Sequence, residues 1–159
     1  MAIIYKNQGH YDQALEIYKS VLETKIRVCG HEHPDVASSF NNIGAVYEGK
    51  GDFENALVQH QKALEIRTRV FGSDHLDVAA SKYNIPSLKE TQGDLEGARR
   101  LFLECQQIYL KVFGADHEET LDAAMRALTV GEEEEEEEGE EGDSDRGEEE
   151  DQAGGSGER

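Results

Sequence analysis

The 159 residues carry 35 acidic and 16 basic side chains, a net charge of -19. The segment from Gly131 to Arg159 holds 16 acidic and 2 basic residues, so the tail accounts for -14 and residues 1–130 are only mildly acidic at -5. No strongly basic face exists to gather phosphates, and an acidic tail is repelled by anionic lipid, so nucleic acid and membrane surfaces are excluded as expected partners. No apolar run approaches the roughly 20 residues that cross a bilayer, and MAIIYKNQGH turns polar too soon for a signal peptide. A cytoplasmic protein is expected.

The predicted elements follow a 42-residue period. Met1 aligns with Ile43 and Ile85, so the chain opens midway through a short helix, here helix A of the repeat, and exposes an uncapped apolar face with Ile3, Ile4 and Tyr5. That face reads as a fragment end of a longer array or as a self-association surface. A longer helix B follows, with Ala14, Leu15, Tyr18, Val21, Leu22 and Ile26 at helical spacing on one stripe. Gly30 closes it, and Pro34 sits where a first helical turn tolerates a missing N–H. Helix A of the next repeat runs from Val36 to Lys50 with Phe40, Ile43, Val46 and Tyr47 inward.

The pattern then returns. Gly9, Gly51 and Gly93 are 42 residues apart, as are Ala14, Ala56 and Ala98, Val28, Val70 and Val112, Gly30, Gly72 and Gly114, and His33, His75 and His117. Between residues 9–50 and 51–92, 16 of 42 positions are identical, enough to fix the register. The helix B stripe recurs as Ala56, Leu57, His60, Ala63 and Leu64, then as Ala98, Leu101, Phe102, Cys105, Ile108 and Val112. Gly51-Asp52 and Gly93-Asp94 end one helix and cap the next. The recurring alanines let two helices joined by a tight turn approach closely. One hairpin cannot bury its stripe alone, and about three repeats are needed for stability. The predicted fold is therefore all-α, an α-solenoid of antiparallel helix hairpins over residues 1–130. Pro86 stands at the position of Gly44 inside the third A helix, where proline removes a backbone bond, so that helix is expected to bend.

From Gly131 onward the composition cannot build a core. The run from Glu132 to Glu138 repels itself, and residues 131–159 are expected to be a solvated, disordered tail. Capture of basic proteins, or covering of the protein's own groove, is its functional alternative.

NNIGAVYEGKGDFENALVQHQKAL, with small and aromatic residues at these offsets, resembles the tetratricopeptide repeat family. The 42-residue period and the linkers CGHEHPDVA, FGSDHLDVA and FGADHEETL are similar to those of kinesin light chains and nephrocystin-3-like proteins. The resemblance covers residues 1–130. It implies that the A helices line a concave groove holding an extended peptide of another protein, with kinesin heavy chain or cargo as the partners the family suggests. By register the groove positions are Ser38, Asn41, Asn42, Ala45 and Glu48, then Ala80, Tyr83, Asn84, Ser87 and Glu90, with Lys82 and Arg126 as the cations nearby. Asn42 and Asn84 match the family's groove asparagine, whose carboxamide both donates to and accepts from a peptide backbone. The heptad region that joins a light chain to its heavy chain is not found in this sequence, and the groove lacks the family's basic character.

Cys29, His31 and His33, with Asp35, have the look of a zinc set. Phe71 and Ser73, then Phe113 and Ala115, replace the first two in later repeats, so only the histidine recurs, and a capping or linker role is the expectation. Cys29 and Cys105 lie almost two repeats apart, too far for a disulfide, and are expected to be free thiols. No nucleophile with a partnered base and no glycine-rich phosphate loop stands out, so neither a catalyst nor a cofactor is expected. A protein-binding adaptor is the leading reading, with an end-to-end assembly element as its alternative.

Overall fold

The structure is a computed structural model that describes residues 2–7 and 9–131, the side chains at positions 4, 5 and 7 excepted. The expected disorder of the acidic tail, and the side chains of Ile4 and Tyr5 on the N-terminal face, lie outside the described residues. Ile3 is exposed, as expected.

Eight helices and no strands make up the described residues: α1 (Ala2–Asn7), α2 (Tyr11–Cys29), α3 (Pro34–Lys50), α4 (Phe53–Phe71), α5 (Leu76–Tyr83), α6 (Pro86–Glu90), α7 (Leu95–Phe113) and α8 (Glu118–Thr129). In repeat terms α1, α3, the α5–α6 pair and α8 are A helices, and α2, α4 and α7 are the 19-residue B helices. Each B helix packs on the A helices before and after it, which makes the all-α solenoid of antiparallel hairpins.

The local chemistry explains the boundaries. Asp52 and Asp94 accept the backbone N–H of Asn55 and Gly97, satisfying a donor that a helix start leaves open. Gly30, Gly72 and Gly114 end the B helices at φ of 84°, 83° and 93°, a region that a side chain disfavours. His33 and His75 cap α3 and α5, each Nδ1 accepting the N–H two residues on. His75 also stacks on Phe71 at 4.4 Å, and His117 on Phe113 at 4.3 Å. The recurring histidine is thus a cap and linker-packing residue. His117 departs in part, because its Nδ1 lies 2.6 Å from the Glu119 carboxylate instead of on a backbone N–H.

Pro86 does more than bend its helix. The A helix is interrupted at Asn84 and Ile85, and Pro86 becomes the first residue of α6, where a missing N–H costs nothing. Ile85 N–H turns to the Lys82 carbonyl, and Leu88 and Lys89 N–H to that of Ile85, so the broken turn keeps its bonds.

Packing follows the predicted stripes with two corrections. Ala14, Ala56 and Ala98 are fully buried, and Phe102, Cys105 and Ile108 join them. Val21, however, is 41% exposed whereas its equivalents Ala63 and Cys105 are fully buried. Those two lie against the first half of an A helix, through Val36 and Ala37 or through Ala79. The described α1 matches only the last part of such a helix. Val112 is also exposed, as are its equivalents Val28 and Val70, so this register position faces outward in every repeat.

Between neighbouring repeats the same ion pair recurs. Arg69, in the last turn of α4, reaches back to Glu32 in the preceding linker, and Lys111, one period later in α7, lies 2.7 Å from Asp74. Such exposed pairs contribute little energy each, but they repeat the register in charge.

Candidate functional site

The A-helix face sorts its residues into three groups. Asn42, Ala80, Asn84 and Ser87 are exposed, and the side chains of Asn42 and Asn84 make no hydrogen bond to another described residue. Ala45 is half-buried beside them. The remaining predicted groove residues are held by the fold itself. His60, buried to 2% exposure on α4, has Asn41 Oδ1 at 3.0 Å from Nδ1 and Glu48 Oε1 at 2.7 Å from Nε2. Asn41 and Glu48 therefore clamp a buried ring. Ser38 accepts from Arg67 at 3.3 Å while donating to the Pro34 carbonyl. Lys82 is paired with Glu104 on α7 at 2.8 Å.

Tyr83 and Arg126 form a third arrangement. The Tyr83 hydroxyl donates to Asp122, and the Arg126 guanidinium lies 5.5 Å from the centre of the Tyr83 ring with its Nε 3.3 Å from the Asp122 carboxylate. Burial, and then the bond to Asp122, push the Tyr83 hydroxyl well above its ordinary pKa. Beside this group a cavity of about 370 Å³ opens between α5, α7 and α8, lined by Tyr83, Tyr109, Glu118, Glu119 and Asp122. Burial raises the Tyr109 hydroxyl to about 12, with Cys105, Glu119 and Asp122 adding to the rise.

Sequence reasoning missed Tyr109 and the three carboxylates. The signal was present in the register: positions 25 and 67 are Lys25 and Arg67, and position 109 breaks the series with a tyrosine. Among the described residues no group of three His, Cys, Asp or Glu side chains is placed to hold a metal ion. Both cysteines are free. Cys105 is buried, and that burial pushes its thiol up to about 12, which leaves it unreactive. No described helix is long and apolar enough to cross a membrane.

One tetratricopeptide repeat model matches residues 1–68 and 39–85, and a second matches residues 79–119. The chain belongs to the tetratricopeptide repeat family, whose repeats act as protein–protein interaction modules. Among solved structures it is similar to a kinesin light chain-type protein of nearly identical TPR-like repeats from Podosopora anserina, with a TM-score of 0.71 and 20% identity. That match covers 85% of this chain and 65% of the other, so the chain spans less than two thirds of its neighbour's length. BtubC (BKLC) from P. vanneervenii follows at a TM-score of 0.65 and 18% identity, over 99% of this chain and 68% of that one. These likenesses place the fold with kinesin light chain-like repeats. No curated protein sequence matches the chain.

Proposed function

We propose that this chain is a non-catalytic adaptor that holds an extended segment of a partner protein along its A helices, in the cytoplasm. The observation that carries the reading is the pair Asn42 and Asn84. They stand one repeat apart on successive A helices, exposed, with carboxamides that the fold does not use. A carboxamide pairs with the main chain of a passing peptide whatever its side chains, so a ladder of them grips an extended segment. The likeness in fold to kinesin light chain-type repeats makes a motor heavy chain or its cargo the partner to try first.

The test is a peptide selected from a random library against the full chain, then measured against the variant Asn42→Ala with Asn84→Ala. Loss of two hydrogen bonds is expected to weaken it by about tenfold or more. Equal affinity for the variant removes the asparagines, and with them the groove, from the account.

Exposed apolar side chains at both ends support end-to-end assembly as a second reading. On α8, Leu121, Met125 and Leu128 are 55%, 59% and 74% exposed, one stripe at i, i+4 and i+7. Val21 is uncovered at the other end. Light scattering across micromolar concentrations is expected to show a mass that grows with concentration. A constant monomer mass ends this reading.

A further inference from the structure

We propose that the cavity between α5, α7 and α8 is a binding subsite for an arginine side chain supplied by a protein partner. The proposal rests on the groove reading for the partner, and on the repeat itself for the chemistry.

At the first two junctions helix B provides its own cation to the start of the next A helix. Lys25 Nζ donates to the Asp35 carbonyl at 3.2 Å. One period on, Arg67 donates to the Asp77 carbonyl at 3.2 Å and to Ser81 Oγ at 2.8 Å. At the third junction the equivalent of Arg67 is Tyr109, and the equivalent of Asp77 is Glu119. A neutral ring has replaced a guanidinium, and a cavity of about 370 Å³ lies between that ring and the start of α8.

The walls of that cavity suit the missing group. Glu118, Glu119 and Asp122 line it, and the only guanidinium placed there among the described residues, Arg126, already lies over Tyr83 and against Asp122. Arg126 shows that this corner accepts a planar cation on a tyrosine face with a carboxylate beside it. It pairs with Asp122, and His117 lies against Glu119, so Glu118, whose carboxylate has no partner among the described residues, is the group left to draw a cation. A tyrosine floor with carboxylate walls favours arginine over a neutral side chain of the same shape, because arginine alone offers both a flat face and a charge-assisted fork of donors. The chain's net charge of -19 steers the same kind of partner toward it.

The experiment titrates N-acetyl-arginine N-methylamide, and as a neutral isostere the citrulline analogue, into the full chain labelled with ¹⁵N. Amide resonances of Tyr83, Tyr109 and residues 118–122 are expected to move with the arginine analogue and not with citrulline. Glu118→Gln with Glu119→Gln, both at exposed positions, is expected to weaken the response about tenfold, as for a lost charge-assisted hydrogen bond. Tyr109→Arg, which restores the cation of the earlier repeats, is expected to abolish it, with helical circular dichroism confirming the fold. Shifts confined to residues 132–151, an equal response to citrulline, or an unchanged response in the glutamine variant overturns the proposal. Asn42→Ala with Asn84→Ala leaves the arginine response unchanged, so a failed groove and a failed subsite are read separately.

Discussion

Phe102→Ala is expected to cost about 3–5 kcal/mol, the range for emptying an aromatic side chain from a packed core. Phe102 is 4% exposed on α7 and packs with Ala98, Ala127 and Val130 while Leu95 and Tyr83 close over it. Its ring meets that of Tyr83 edge to face at 5.5 Å, which adds to the area it buries. It therefore ties α5, α7 and α8 together at one point. In a solenoid each repeat touches only its neighbours, so the loss falls on the C-terminal end, while α2 to α4 keep their contacts. A domain of this size is stable by roughly 5–15 kcal/mol, and the variant should lie near the edge of folding. Denaturant titration with amide exchange checks this: early loss of protection in α8, ahead of α3 and α4, is expected. A cost below about 1 kcal/mol would mean that the cavity collapses and that Phe102 is not the joint described here.

Gly44→Ala is the second large effect, and it comes from one methyl group. A Cβ at Gly44 would lie 2.6 Å from His60 Nε2 and 2.8 Å from Cε1, inside contact distance of a ring that cannot retreat. The ring is fixed by Asn41 on one side and Glu48 on the other. Overpacking of this kind costs about 1–3 kcal/mol, and moving the ring would also break the two hydrogen bonds. The double variant with His60→Ala isolates the clash, because the second change removes what the new methyl strikes. In a cycle of the two single variants and the double, the pair should recover about 1 kcal/mol or more of the summed losses. Additive losses would show that Gly44 matters for some reason other than room for His60.

Much of the fold was legible because it is written three times. Asp52 and Asp94, Gly30, Gly72 and Gly114, and the alanines at 14, 56 and 98 act locally, and periodic spacing placed each in its element. Pro86 was equally readable, since a missing N–H inside a helix has only a few remedies. What the register could not show was which polar side chains of an A helix are consumed from below. Asn41 and Asn42 are neighbours in sequence, yet one holds His60 and the other meets solvent, a difference set by helix rotation against α4. The partners of Glu48 and Ser38 were hidden for the same reason: His60 and Arg67 belong to a different helix. The cavity at Tyr109 was hidden in another way. A single replacement in a repeating series looks like ordinary variation until the space that it vacates can be measured.

The interruption at Asn84 and Ile85 bears on shape as well as on bonding. An unbroken helix is a stiff rod, and the layers on either side of it inherit one fixed pitch. Here the middle layer consists of two short segments meeting at a joint with no proline N–H to satisfy, so the direction in which α6 leaves α5 is set at two residues, beside Asn84. The change of direction is confined to that layer, while the long helices α4 and α7 that flank it run unbroken.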